Sequence, residues 1–208
     1  MKRLFDLTRL IEDNQPVYPG DDPTTLRRSR TLQENGFNNH RLQISMHSGT
    51  HIDGPMHMTD SRIYLDEIPL EQFVGKGILL DVRGEREIKM KPEYEDKIPQ
   101  ESIVLFWTGR DVIFGSEEYF LNNPSISPVL ADLLVEKKTK IVGLDSSSPD
   151  KYPFEIHAKL FAAGILVMEN LTGLERLVEF ESFTVFALPL RIHADSSVAR
   201  VIAGVEIL

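Results

Sequence analysis

The order of apolar and polar positions along the chain predicts many short strands and few helices. Residues 3–8 read as a first strand. Residues 24–33 and 39–46 alternate polar and apolar on either side of Glu34-Asn35-Gly36. That predicts a hairpin, because Asn-Gly tolerates the positive φ of a tight turn. Lys76–Val82, Ser102–Thr108, Lys140–Asp145 and Ile165–Met168 are short, mainly apolar runs that read as strands. Phe183–Ile192 and Val198–Ile207 are long β-rich segments that close the chain. Helices are expected over Leu65–Phe73, from Ser127-Pro128 onward with Val129, Leu130, Leu133 and Leu134 as the apolar stripe, and over His157–Ala163, stopped by Gly164. Asn14-Gln15-Pro16 and Pro19–Pro23 are turns. The charged stretch 83–101 reads as solvated surface. Strands separated by short helices, with hairpin-like pairs at both ends, predict an α/β domain built on a mixed sheet. The whole of residues 1–208 reads as that single domain, with room for an inserted hairpin.

Composition narrows the chemistry. With 208 residues, 41% hydrophobic and 26% charged, the chain suits one sizeable core. A net charge of -9 argues against a nucleic-acid partner, which needs a basic face. There is no cysteine, so disulfides, thiolate metal sites and a cysteine nucleophile are excluded. Met1–Leu7 reads as a strand rather than a signal peptide, and no apolar run approaches membrane length. The expectation is a cytoplasmic protein with a small-molecule substrate and no membrane partner. No G-x-G-x-x-G or Walker A pattern supports nucleotide binding.

The chemistry concentrates in His47-Ser-Gly-Thr-His51-Ile-Asp53-Gly-Pro-Met-His57, with His40 just upstream. Imidazole and carboxylate bind borderline divalent metals and move protons near neutral pH. Gly49, Gly54 and Pro55 break any helix. Positions 47, 51, 53 and 57 share parity, so an extended chain would turn them to one side. Asp53 has two oxygens and can bridge two ions. A catalytic metal needs ligands from elsewhere as well. His157 and Glu169, the latter at the end of an apolar strand, are candidates; on pattern alone Glu169 reads more readily as a helix-cap or salt-bridge residue.

The window His47-x-Gly49-Thr50-His51-x-Asp53-x-Pro55-x-His57 resembles the signature of the metal-dependent cyclase family, which includes bacterial kynurenine formamidases (arylformamidases) and isatin hydrolases. Asp6-Leu-Thr, Pro16-Val-Tyr-Pro-Gly-Asp21, Thr108-Gly109, Val142-Gly-Leu-Asp145, the pair His157 and Glu169-Asn-Leu171, Leu188-Pro-Leu190, Asp195 and Ala199–Ala203 resemble further family segments, in order. The resemblance implies a swivelling β/β/α fold, a homodimer or homotetramer, and two divalent metal ions per chain, usually zinc and sometimes manganese. It implies that His47, His51, Asp53 and Glu169 hold the first metal, that Asp53, His157 and Glu169 hold the second, and that His57 is the general acid/base. Two dications against two carboxylates leave a positive centre that lowers the pKa of bound water, so hydroxide would attack an amide or formamide carbonyl. His57 would pass a proton to the leaving nitrogen.

The implied activity is hydrolysis of a non-peptide C–N bond in a small aromatic or cyclic substrate, with N-formyl-L-kynurenine leading and isatin-like lactams or esters behind. Tyr18 stands where the formamidases usually carry a stacking Trp, and reads equally as substrate contact or as packing beside a turn. Ser146–Asp150 and Ser197 also depart from the family pattern. Trp107 reads as core, and Arg110 as surface with a carboxylate clamp as the alternative. Two other classes compete. A purely structural metal protein has no use for His57, and a one-metal redox enzyme lacks its usual His-x-His pair.

Overall fold

The computed structural model describes residues 2–206, so Met1 and the expected strand end at Ile207 lie outside the described residues. The strands run β1 (Lys2–Asp6), β2 (Thr25–Arg30), β3 (Asn39–Gln43), β4 (His51–Asp53), β5 (Val74–Asp81), β6 (Glu87–Ile88), β7 (Ile103–Trp107), β8 (Ser125–Ile126), β9 (Ile141–Leu144), β10 (Leu166–Glu169), β11 (Phe183–Pro189) and β12 (Ser196–Glu206). The helices are α1 (Leu32–Asn35), α2 (Tyr94–Lys97), α3 (Glu117–Leu121), α4 (Pro128–Glu136) and α5 (Glu155–Ala162).

The main sheet has the order β1-β12-β11-β5-β7-β9-β10-β4, and a further β12–β4 pairing closes it into a barrel. Strands β5, β7, β9 and β10 are parallel, while β11, β12 and β4 close the ring antiparallel. The chain is therefore an α/β protein with a mixed sheet, as its pattern predicts. β12 is long enough to carry two partners along one edge, β4 at Ser196–Val198 and β1 at Ile202–Glu206, with β11 on its other edge.

The parallel strands are apolar throughout because both their faces are covered. Ile103, Leu105, Ile141, Leu166 and Met168 point into the barrel with Val185, Ala187 and Val201. Val104, Phe106, Val142, Leu144 and Val167 point outward, under Leu130 and Leu134 of α4 and Leu160 and Phe161 of α5. Gly143 is required between these layers, since a Cβ there would lie 2.7 Å from both Leu105 and Met168. The Asp145 carboxylate accepts from Thr108 N, Thr108 Oγ1 and Gly109 N at 2.6–2.8 Å, which ties the β7 and β9 exits together.

Four expectations change in the structure. Leu65–Phe73 is two 3-10 turns, Leu65–Glu67 and Leu70–Phe73, because Pro69 forces extended backbone on Ile68 (ψ 132°). β2 and β3 pair as expected, but α1 occupies the connection in place of a tight Asn-Gly turn; Gly36 ends that helix at φ 75°. The stretch 83–101 is not simply solvated, because Ile88, Tyr94 and Ile98 are buried and pin it to the outer layer. The helix expected from His157 begins two residues earlier, at Glu155. Among the described residues no helix is long and apolar enough to cross a membrane.

Helix α4 begins as its sequence predicts. Pro128 follows Ser127, whose side chain accepts from the Leu130 amide. Ser127→Ala is expected to cost about 1 kcal/mol, measured as a shift in the urea midpoint, while Ser127→Asp retains most of the stability.

Candidate active site

The site is built outward from β4. Ile52 of this strand points into the barrel core, so His51 and Asp53 face out. Glu169 lies directly opposite His51 in the antiparallel β10–β4 register, which puts both side chains on the same face. His51 Nε2 is 3.4 Å from Asp53 Oδ1 and 3.5 Å from Glu169 Oε2. Gly49, at φ 65°, turns the chain into β4. Its carbonyl accepts from His51 Nδ1 at 2.8 Å and from Asn170 Nδ2 at 3.0 Å. The other end of the strand is fixed where Gly54 N donates to Asp195 O; a Cβ on Gly54 would meet that oxygen at 2.8 Å.

Helix α5 brings in His157, which is buried. Asp150 holds it from both directions. One oxygen accepts from the amides of Ile156 and His157, capping the helix start, and the other accepts from His157 Nδ1 at 2.6 Å. His157 Nε2 then faces Glu169 Oε1 at 3.4 Å. His47, in the turn before β4, places Nδ1 2.9 Å from Asp53 Oδ1 and Nε2 3.0 Å from Asp195 Oδ2. His57 ends a 3-10 turn, Pro55–His57, with Nδ1 3.4 Å from Asp195 Oδ2.

The structure thus brings His47, His51, Asp53, His57, His157 and Glu169 to one cavity of about 350 Å³. Tyr18 is in its wall, edge-on to Phe120 at 6.0 Å. Trp107 packs against the core under Arg83, and Arg110 is turned away to the Glu118 carbonyl. His40 is on the exposed hairpin and takes no part. His57 is less separate than the sequence implies. Donor atoms of His47, Asp53 and His57 lie within 4.8 Å of one another, as do those of His51, Asp53 and Glu169.

Sequence reasoning gave no role to Asp150, Asn170 or Ser196, and none to Asp195 beyond its place in a closing segment. Asp195 sits beside both His47 and His57, and Ser196 Oγ is 3.0 Å from His47 Nε2. Asn170 accepts from the buried Tyr119 hydroxyl and holds the Gly49 carbonyl. A carboxylate a few residues before a helix start was the available signal for Asp150.

The electrostatics are those of a site that collects positive charge. Burial pushes His47 down, but Asp53 and Asp195 outweigh it and raise it to about 9. Burial likewise opposes Asp150 and Glu169 at His157, which rises to about 10. Asp53 is held well below the usual carboxylate range by His51 and His47, despite its burial. Glu169 is raised, since burial exceeds what His157 returns. Burial lowers His57; Asp53 opposes this, and His47 and His157 add to it.

A closed mixed barrel gathers imidazoles and carboxylates at one outer face, a donor set suited to a divalent metal and to proton transfer. The chain belongs to the putative cyclase family, whose model matches residues 5–151. It is 30% identical over 196 residues to a kynurenine formamidase of Salinibacter ruber, covering 91% of each chain. It is 27% identical over 203 residues to a kynurenine formamidase of Bacillus cereus, covering 95% of each. Solved structures share the fold at lower identity. An isatin hydrolase bound to the product analogue thioisatinate superposes with TM-score 0.88 at 20% identity, over 99% of this chain and 93% of that one. A potential metal-dependent hydrolase with cyclase activity gives 0.78 at 24% identity over all of both chains. The chain is a hydrolase of this family.

Removing the Asp150 side chain would strand two helix amides and a buried imidazole N–H. Asp150→Ala is expected to destabilise the fold by about 1–3 kcal/mol in urea denaturation. A midpoint unchanged from wild type would contradict the role given to Asp150.

Proposed function

We propose that this protein hydrolyses the formamide bond of N-formyl-L-kynurenine, or a closely similar aryl amide, with two divalent metal ions held by His47, His51, Asp53, His157 and Glu169. One observation carries the reading. His51 Nε2 and His157 Nε2 are buried without a hydrogen-bond partner, and both face the Glu169 carboxylate at 3.4–3.5 Å, His51 Nε2 also facing Asp53 Oδ1 at 3.4 Å. Buried polar atoms are rarely left so, because each costs desolvation with no return. The outer nitrogens of both rings are already committed, His51 Nδ1 to a carbonyl and His157 Nδ1 to a carboxylate, which turns each Nε2 lone pair inward. Outer-shell hydrogen bonds of this kind set the tautomer of metal-ligating histidines. The donor set, nitrogen and oxygen only, fits zinc or manganese. The carboxylates that raise the imidazole pKa values would equally favour a dication, which would release those protons on binding.

Bound there, the metals would acidify a water toward neutral pH and polarise the amide carbonyl. The chain's residues supply the rest. Tyr18 and Phe120 form an aromatic wall for the substrate ring. His57, held below the ordinary histidine pKa, is neutral at pH 7 and free to take a proton, then return it to the departing nitrogen. Asp195, beside His57 Nδ1, orients the ring.

Metal content should be two ions per chain, with N-formylkynurenine turned over and chelation abolishing the activity. Isatin and simple esters belong in the same panel; preference for isatin would move the substrate to the lactams. His57→Ala should lose about 10²–10⁴ in kcat with both metals retained. If it loses a metal instead, His57 belongs to the ligand set with His47 and Asp53.

A homodimer or homotetramer is part of the same proposal. Among the described residues the β2–β3 hairpin, largely exposed on both strands, pairs with no other sheet, and an isolated hairpin is only marginally stable in water. Light scattering should give two or four times the chain mass; a monomer would remove this part.

A further inference from the structure

We propose that Lys151 selects the substrate, by pairing with a carboxylate at the mouth of the active-site cavity, so that aryl amides bearing a free acid are preferred over neutral ones. This rests on the hydrolase reading above and deepens it to a substrate class. Among the described residues four carboxylates line the cavity, those of Asp21, Asp53, Asp150 and Glu169, and Lys151 is the one lysine or arginine. Asp53, Asp150 and Glu169 are buried and committed to the imidazoles. Lys151 and Asp21 are exposed, so they stand where the cavity opens. Among the described residues Lys151 has no ion-pair partner, a state it shares with Lys76, Lys97, Lys137, Lys138 and Lys140; what sets it apart is its place on the cavity.

The backbone beneath Lys151 is well anchored. Its neighbour Asp150 is bonded to α5 and to the His157 ring, and the Lys151 carbonyl accepts from Phe154 N at 2.8 Å. The ammonium therefore starts from a defined point next to the reacting centre, on a flexible four-carbon stem that can follow a ligand. Phe114, Phe120 and Phe154 line the same cavity as the imidazole cluster. An aryl ring seated there would put its amide at the imidazoles and its ring substituent toward the opening. On a chain of net charge -9, an anionic substituent is repelled over most of the surface, and Asp21 repels it on the same rim. Lys151 is the place where it is received. The Ser146–Asp150 segment, which departs from the family pattern, leads directly into this residue.

The test compares N-formyl-L-kynurenine with its methyl ester, which keeps the ring, the formamide and the amine but hides the carboxylate. Wild type should favour the acid in kcat/KM by about two- to fivefold, the scale of an exposed ion pair. Lys151→Met should bring the ratio to about one through KM, Lys151→Arg should preserve it, and Lys151→Glu should invert it. A ratio unchanged in Lys151→Met, or a wild type that prefers the ester, overturns the proposal. Calorimetric binding of L-kynurenine and its methyl ester decides the question without turnover. If neither formamide is hydrolysed but Lys151→Met weakens binding of the acid alone, the hydrolase reading falls and the role of Lys151 stands. Equal weakening of both ligands, or no effect on either, overturns the role of Lys151.

Discussion

Strand β4 is three residues long, and the arrangement of the site depends on its being held on both edges. β10 bonds one side and β12 the other, which is the contact that closes the barrel. Closure leaves β4 no freedom to slip, and a slip of one residue would turn His51 and Asp53 into the core and Ile52 out. The same register places Glu169 opposite His51. Barrel closure and site assembly are one event here. The turns at Gly49 and Gly54 are its local requirements, one for positive φ and one for close approach to the Asp195 carbonyl.

Around that strand, buried charge is organised in pairs. Each imidazole of the cluster has a carboxylate beside it: Asp150, in the loop just before α5, for His157, and Asp195, far along the chain, for His47 and His57. Burying such groups costs several kcal/mol per ion unless partners compensate. The orphaned Nε2 atoms of His51 and His157 mark where this compensation is incomplete within the chain. A cation at that point would complete it. The cavity above is aromatic and closed on one side by α3 and its preceding turn, with Phe114 and Phe120, a stretch to which no element was assigned from pattern.

Much of the fold was readable from pattern because its strands are buried on both faces. Continuous apolar runs such as Ser102–Thr108 have no other stable placement, and a Ser-Pro start before an amphipathic stripe is a local signal that needs no partner. What escaped was decided by single residues against the average. Pro69 splits an expected helix into two turns. Ile88, Tyr94 and Ile98 anchor a stretch whose charge count says surface. The candidate-site window was readable because three histidines and an aspartate between glycines have little structural use.

By itself, the sequence determined which side chains are available for chemistry, that cysteine is not among them, and that His47, His51, Asp53 and His57 are close by chain connectivity. Pattern offered His157 and Glu169 as candidate ligands, and the family resemblance strengthened both. Only the tertiary structure decided that all six share one cavity, that Asp150 and Asp195 orient the rings, and that His57 lies against His47 rather than apart from it. The physical reason is range. Hydrophobic period and cap chemistry act over a few residues and leave a trace in the local sequence. The register of β4 against β10 and β12 joins residues more than a hundred positions apart, and it is set by closure of the whole sheet.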